Sequence, residues 1–552
     1  MRWATLALLA GCNTILGIRE IPVDGLGVDA DPCVGTCECR DDADCPGAHR
    51  VCNDQVITRS CSCAAGYEPQ SGVCTWSGVV GDPEIAQPGA WVTSGDASLV
   101  AAPLGLGMLD PGYALITRGT TCVPMAGAIA QNVTMPRLSV AEPLVAEINL
   151  YAEGRNGGGN NDDTNIGVAV GAVWTSNVFD NSYWQTYRQC LGESQYAPES
   201  SKGRGVSIQI DGAADSVNSR CDAAAYFDHI LVVPANAGEC PMPGAALNGD
   251  AEGTGGWYFP PALVSGGSAA FEAGCGEQTS RCVKLTSRQR CDYVYADDLV
   301  SVPARTETGS PSLSIFHARN TTTSSFGVMI DTLPLDLSSS TQPTTERYCL
   351  PAYMAGGVYK LRAWLYPGTA GVCTDAVNVT ASVDAVRVQN DPACGTNEAI
   401  ADPGFESSYS LLGAAATSGS TVATGLDSVH GGGMGRVLLM TNGRTCEYGR
   451  YTAEVTTRTA PAGTGPALSF WYRLPGGTNS AFTVTSHKGT FTPTRGGWAQ
   501  GLVCLDPKVA VGRPQPVMFQ LYLSNATCGT AVSGETLALD DLEATFAAAC
   551  AP

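Results

Sequence analysis

The chain has 552 residues, including 65 Gly, 33 Pro and 23 Cys, and only 15 % of its residues are charged. A net charge of −21 weighs against nucleic acid as a partner, because phosphate neutralisation needs clustered Lys and Arg. There is no run of about 18 apolar residues to span a bilayer, and the glycines keep no three-residue period, which excludes collagen. The length predicts three to four domains. The cysteine content predicts an exported chain in an oxidising compartment.

The first residues run Met1-Arg2-Trp3-Ala4-Thr5-Leu6-Ala7-Leu8-Leu9-Ala10-Gly11-Cys12, one basic residue before a short apolar stretch, two small residues and a cysteine. This resembles a bacterial lipoprotein signal with a lipobox at Leu9–Cys12. The resemblance implies a signal peptide over 1–11, cleavage before Cys12 and acylation of that cysteine, with each buried methylene worth about 0.8 kcal/mol of membrane binding. Asn13 stands where an inner-membrane retention Asp would be, so the expected location is the cell surface or outer membrane. Residues 12–32 read as a tether.

Cys33, Cys37, Cys39, Cys45, Cys52, Cys61, Cys63 and Cys74 fall within 42 residues, with too few apolar residues between them to form a core. Such a segment needs disulfides or a metal. No CxxC pair is present, and His49 is the one nearby histidine, so disulfides are expected. The run Cys61-Ser62-Cys63-Ala64-Ala65-Gly66-Tyr67 followed by Cys74 resembles the second half of an EGF-like domain, here spanning 33–76. That resemblance implies bonds Cys45–Cys61, Cys63–Cys74, and Cys52 with Cys37 or Cys39.

The remaining chain is repetitive. Cys122, Cys190, Cys221 and Cys240 recur as Cys291, Cys349, Cys373 and Cys394, and again as Cys446, Cys504, Cys528 and Cys550, with the last two sets 155 to 156 residues apart. A triplicated domain is predicted, over 77–241, 242–395 and 396–552. We expect first-to-second and third-to-fourth pairing in each set. The third-to-fourth loops, about 20 residues long, would each contribute about 3 kcal/mol. Cys275 and Cys282 form an extra pair in the second repeat. Each repeat opens on an acidic turn (Gly81–Glu84, Asn248–Glu252, Asp402–Glu406) and closes on an alternating segment carrying Asp228, Asp384 or Asp540. Short period-two segments and Gly-rich turns predict an all-β chain, with three tandem antiparallel β-sandwiches after the small disulfide-rich module.

The marker order resembles galactose-binding-like jelly rolls such as carbohydrate-binding modules of families 4, 9 and 22. Repeat three keeps Gly404-Phe405-Glu406, Ser469-Phe470-Trp471 and Leu539-Asp540-Asp541-Leu542, and repeat two keeps Gly256-Trp257. The resemblance implies structural calcium joining the opening turn to the closing Asp, with Glu84 and Asp228, Glu252 and Asp384, and Glu406 and Asp540 as ligands. The competing reading is that these carboxylates cap turn amides. No other cofactor is expected. Trp184, Trp471 and Trp498 are the candidate sugar-stacking residues, the alternative being burial in the sandwich, while Trp257, Phe470 and Tyr472 are expected in cores. The chain has no Gly-x-Ser-x-Gly elbow and no His-Glu-x-x-His zinc motif. The sequence therefore favours a non-catalytic, lipid-anchored surface protein that binds glycan or a surface protein. A structural envelope lipoprotein and a carboxylate-pair polysaccharide hydrolase are the alternatives.

Overall fold

The computed structural model describes residues 45–551 apart from 46–49, 54–59, 71–72, 88, 96, 101–112, 118–124, 140–141, 154–163, 171–172, 179–184, 198–202, 215–223, 323–324, 332, 336, 338–340, 369–371, 398, 408–409, 418, 431, 458, 477–479, 487–490, 508, 510–513 and 524–527. The signal and tether segments, Cys12, Cys33, Cys37, Cys39, Cys122, Trp184 and Cys221 lie outside the described residues. The chain divides into a unit ending at Thr75 and a unit from Trp76 onward. In the first, Arg50–Asn53 pairs antiparallel with Ser60–Cys63. The bonds Cys45–Cys61 and Cys63–Cys74 hold this small unit together.

The second unit is all-β, with two antiparallel sheets per repeat. In repeat one the order is Val173–Val178, Thr164–Val170, Arg204–Ala214, Met125–Met135, Val92–Gly95, facing Gln185–Cys190, Leu144–Glu153, Ala224–Pro234, Tyr113–Thr117, Ala97–Val100. Repeat two has Val294–Ser301, Val358–Tyr366, Ser325–Ile330, Leu333–Leu335 against Ser268–Ala273, Arg281–Gln289, Ala376–Asp391, Ser310–Arg319, Thr344–Cys349. Repeat three has Ala414–Ala416, Tyr448–Thr456, Pro514–Leu523, Ser480–Thr485 against Ser420–Ser428, Met434–Arg444, Ala531–Ala547, Gly465–Arg473, Trp498–Cys504.

Alternation in sequence becomes alternation in burial. Val294, Ala296 and Val300 point inward while Tyr295, Asp297 and Leu299 stay half-exposed. Each repeat has its own core. Ile129, Ile148, Ile208 and Phe227 anchor the first, Leu285, Ile315, Tyr348 and Leu361 the second, and Leu438, Phe470, Phe519 and Leu539 the third. Trp257, Phe470 and Tyr472 are all buried in cores.

The disulfide connectivity differs from the expectation. The bonds are first-to-third (Cys291–Cys373, Cys446–Cys528) and second-to-fourth (Cys190–Cys240, Cys349–Cys394, Cys504–Cys550). Antiparallel register explains this. Val294 pairs with Leu365, which brings Cys291 and Cys373 to the same end of two neighbouring strands. Ser312 pairs with Cys349 and Ser310 with Asp391, so the strands ending near Cys349 and Cys394 flank Ser310–Arg319 and finish at the same end of it. First-to-second pairing would have had to cross from one sheet to the other. The first-to-third loops span 82 residues and contribute about 4.5 kcal/mol each on the chain-entropy model.

Two outcomes follow. Peptide mapping without reduction should recover Cys446–Cys528 and Cys504–Cys550 fragments, and a Cys446–Cys504 fragment would contradict the register. Phe470, fully buried and edge-on to Phe519 at 5.0 Å, should cost repeat three about 3–5 kcal/mol when cut to Ala, measured by denaturant melting.

Candidate functional site

One corner is built the same way in all three repeats. An Asp or Asn begins the opening turn and caps it. Asp82 accepts the amides of Ala86 and Gln87, Asn248 that of Gly253, and Asp402 that of Ser407. The next residue's carbonyl (Pro83, Gly249 or Pro403) accepts an amide from the closing strand, from Ile230, Val386 or Leu542, at 2.8–2.9 Å. The closing strand bulges there, and its extra residue (His229, Ala385 or Asp541) takes φ of 50°, 49° and 43°. The bulge aims the preceding carboxylates Asp228, Asp384 and Asp540 into the fold, where all three are buried.

Counting from the capping residue, Glu84 corresponds to Asp250 and Gly404, whereas Glu252 and Glu406 correspond to Ala86. The three expected Glu–Asp pairs are therefore not three copies of one pair. In repeat one, Glu84 meets the His229 ring at 2.6 Å, and Asp228 takes the His229 amide. In repeat two, the loop stapled by Cys275–Cys282 covers the corner. The Glu277 amide and the Ser280 hydroxyl donate to Asp384 at 2.7 Å, and the Arg281 amide donates to Glu252 at 2.9 Å. Burial nevertheless holds the Asp384 carboxyl above its ordinary range. In repeat three, Asp540 and Asp541 face His430, and Glu406 is exposed. Calcium takes six to eight oxygens. In repeats one and two protein donors engage one oxygen of Glu84 and of Asp384, while Glu84 Oε2 and Asp384 Oδ1 are buried without a hydrogen bond, and repeat three supplies a ring nitrogen. The three corners therefore do not present one common set of calcium ligands.

The candidate sugar platforms also separate. Trp471 points away from its core and is half-buried, because the His430 ring lies flat on it at 4.5 Å. Trp498 lies beside it, edge-on to His430, with the Arg473 guanidinium 5.6 Å from its ring. Both are on the outer face of a sheet, but a protein side chain occupies the stacking face of Trp471.

A more open aromatic face lies on repeat two. Tyr295 and Asp297 project outward from Val294–Ser301, directly across from Trp364 and Arg362 on Val358–Tyr366. Tyr293 precedes the first of these strands, lies nearly parallel to Trp364 at 6.1 Å and is 5.8 Å from Tyr295. Arg362 holds Asp297 with two hydrogen bonds of 2.7 and 2.8 Å and places its guanidinium 4.2 Å from the Tyr295 ring centre. The bond to Asp297 pushes the Arg362 pKa up, keeping it charged throughout. Tyr258 extends the face by bridging to Asp297 through both backbone groups. Tyr258 and Tyr293 are 56 % and 43 % exposed. Gly327 makes the arrangement sterically possible, since a Cβ there would stand 2.5 Å from the Trp364 indole.

Sequence reasoning missed these six residues. The signal was aromatic residues at the outward positions of an alternating strand, Tyr293-x-Tyr295 and Trp364-x-Tyr366. At the matching place repeat three has Tyr448, Arg450, Gln520 and Tyr522, whereas repeat one has Ala128 and Ala130 where repeat two has Tyr295 and Asp297.

No family model matches the chain, and no curated protein matches it. Among solved structures it is similar to TmCBM61 in complex with β-1,4-galactotriose, at 12 % identity over 29 % of this chain and 99 % of that one, with a TM-score of 0.21. It is also similar to the CBM22-1–CBM22-2 tandem domain of Paenibacillus barcinonensis Xyn10C, at 12 % identity over 56 % and 95 %, with a TM-score of 0.17. The ANXUR1 extracellular domain from Arabidopsis thaliana matches at 10 % identity over 55 % and 90 %, with a TM-score of 0.19.

Beneath the aromatic face, Asp298 is buried and accepts the Leu299 and Asn248 amides, tying the strand to the opening turn. Burial raises its pKa from 3.8 to about 6. The unfolded chain therefore ionises first as pH rises. The stability is fully present below pH 3.8 and is lost between 3.8 and 6, by up to about 3 kcal/mol. Urea melts of repeat two at pH 4 and pH 7 should show this loss shrinking in Asp298→Asn, and parallel profiles for the two proteins would contradict it.

Proposed function

We propose that this chain is an exported, lipid-anchored surface protein that binds a neutral glycan and does not cleave it. The reading rests on one observation, the outer face formed by Tyr293, Tyr295 and Trp364 beside the Arg362–Asp297 pair. A pyranose ring has an apolar C–H face that packs on an aromatic ring, and a rim of hydroxyls that needs fixed donors and acceptors. Arg362 and Asp297 supply both kinds of partner and neutralise each other, so the face attracts no ion for its charge alone. The chain's net charge of −21 repels polyanions, which favours neutral polysaccharide.

Lipidation at Cys12 would hold the protein at the outer membrane or cell surface, and the cysteine-dense module would space the sandwiches from it. The tyrosines and Arg450 of repeat three offer a weaker second contact, so a polymer long enough to reach both would gain avidity. The non-catalytic reading is favoured by the missing nucleophile elbow and zinc motif.

Retention of the Cys12→Ser chain on immobilised glucans, mannans, xylans and galactans tests the proposal. Trp364→Ala and Tyr295→Ala should each weaken retention at least tenfold while shifting the melting of repeat two by under about 1 kcal/mol, and Trp471→Ala should leave retention unchanged. Wild-type protein that is folded yet retained by none of the panel would overturn the proposal, as would release of reducing ends.

A further inference from the structure

The corner of repeat three has its own chemistry. His430 comes from the segment between strands Ser420–Ser428 and Met434–Arg444, and its ring is fixed by stacking on Trp471 at an interplanar angle of 10°. Its Nδ1 is buried and makes no hydrogen bond. That nitrogen stands 3.0 Å from Asp541 Oδ2 and 3.7 Å from Asp540 Oδ2. The Asp540 side chain is only 4 % exposed, and its Oδ1 accepts the Asp541 amide at 2.9 Å. The bulge at Asp541 is what brings two consecutive carboxylates to one side of a strand, since consecutive residues of a regular strand point to opposite faces.

We infer that His430, Asp540 and Asp541 form a binding site for a divalent transition-metal ion of the zinc type. Their ligand atoms all lie within 4.8 Å of one another. Two ligands each about 2.1 Å from a tetrahedral ion sit about 3.4 Å apart, so separations of 3.0 and 3.7 Å accommodate one with small side-chain shifts. An imidazole with two carboxylates selects zinc, nickel or copper over calcium. Trp471 orients the imidazole, and the Asp541 amide orients Asp540, which are the supports a metal site requires. Three protein ligands leave a coordination position for water or an incoming donor. In repeats one and two, His229 with Glu84 and the stapled loop on Asp384 take the place such an ion would fill. The inference is therefore confined to repeat three and is independent of the glycan face.

Titration calorimetry on the metal-stripped Cys12→Ser chain with zinc chloride tests it. One saturable zinc per chain is expected, with affinity falling at least tenfold in His430→Gln and in Asp541→Asn. Both variants alter exposed or half-exposed side chains, and thermal melts without metal verify that repeat three stays folded. Copper should also quench part of the tryptophan fluorescence through Trp471, and this quenching should be absent in His430→Gln. Three results would overturn the site: no saturable zinc, equal zinc affinity in folded His430→Gln, or tighter binding of calcium than of zinc.

Discussion

The hydrogen bond from the bulged closing strand to the opening turn is the constraint on which each repeat depends. Ile230 reaches Pro83, Val386 reaches Gly249 and Leu542 reaches Pro403, each at under 3 Å. This bond joins the first and last segments of each sandwich. It is available only because the bulge residue accepts a left-handed backbone, which costs a non-glycine residue roughly 1–2 kcal/mol. The capping Asp or Asn holds the turn that receives the bond, and where a tryptophan follows, its indole ties down the same residue. Trp91 donates to the Asp82 carbonyl and Trp257 to that of Asn248, at 2.8 and 2.9 Å.

The same clamp creates an electrostatic problem and then admits different solutions. It buries one carboxylate per repeat, and a buried carboxylate without a partner is costly. In repeat one a histidine on the bulge itself faces the opening-turn glutamate. Repeat two adds a disulfide-stapled loop whose amide and hydroxyl donate to the carboxylate. In repeat three a histidine from another loop approaches two adjacent carboxylates and keeps a buried nitrogen that makes no hydrogen bond. Common backbone geometry with divergent side-chain compensation is what a triplicated scaffold allows, because the backbone bond does not depend on which residue supplies the compensation.

Functional divergence follows a second line. The outer face of the sheet containing Val294–Ser301 does not contribute to its core, so it is free to vary. Repeat two fills it with aromatic rings, repeat three with two tyrosines and an Arg–Gln pair, and repeat one places Ala128 and Ala130 where Tyr295 and Asp297 stand. On repeat two the half-buried rings are held by neighbours. Gly327 leaves room beneath the Trp364 indole, and Arg362 is pinned by Asp297 under the Tyr295 ring. A rigid aromatic surface loses little side-chain entropy when a ligand settles on it.

Composition and repetition were sufficient for the architecture. The recurring cysteines, the acidic turns and the spacing of Asp228, Asp384 and Asp540 marked three β-sandwiches, and period-two alternation marked Phe470 and Tyr472 as core because alternation fixes which residues share a face. Disulfide partners were not legible, since partnership depends on which strands become neighbours and in what register. The resemblance in repeat three drew attention to Trp471, but sequence could not show that His430, 41 residues earlier, would cover it. Nor could it show that Tyr295 and Trp364, 69 residues apart, would lie directly across from each other. Such pairings are set by strand order and bulges, which are decided by the packing of the whole sandwich.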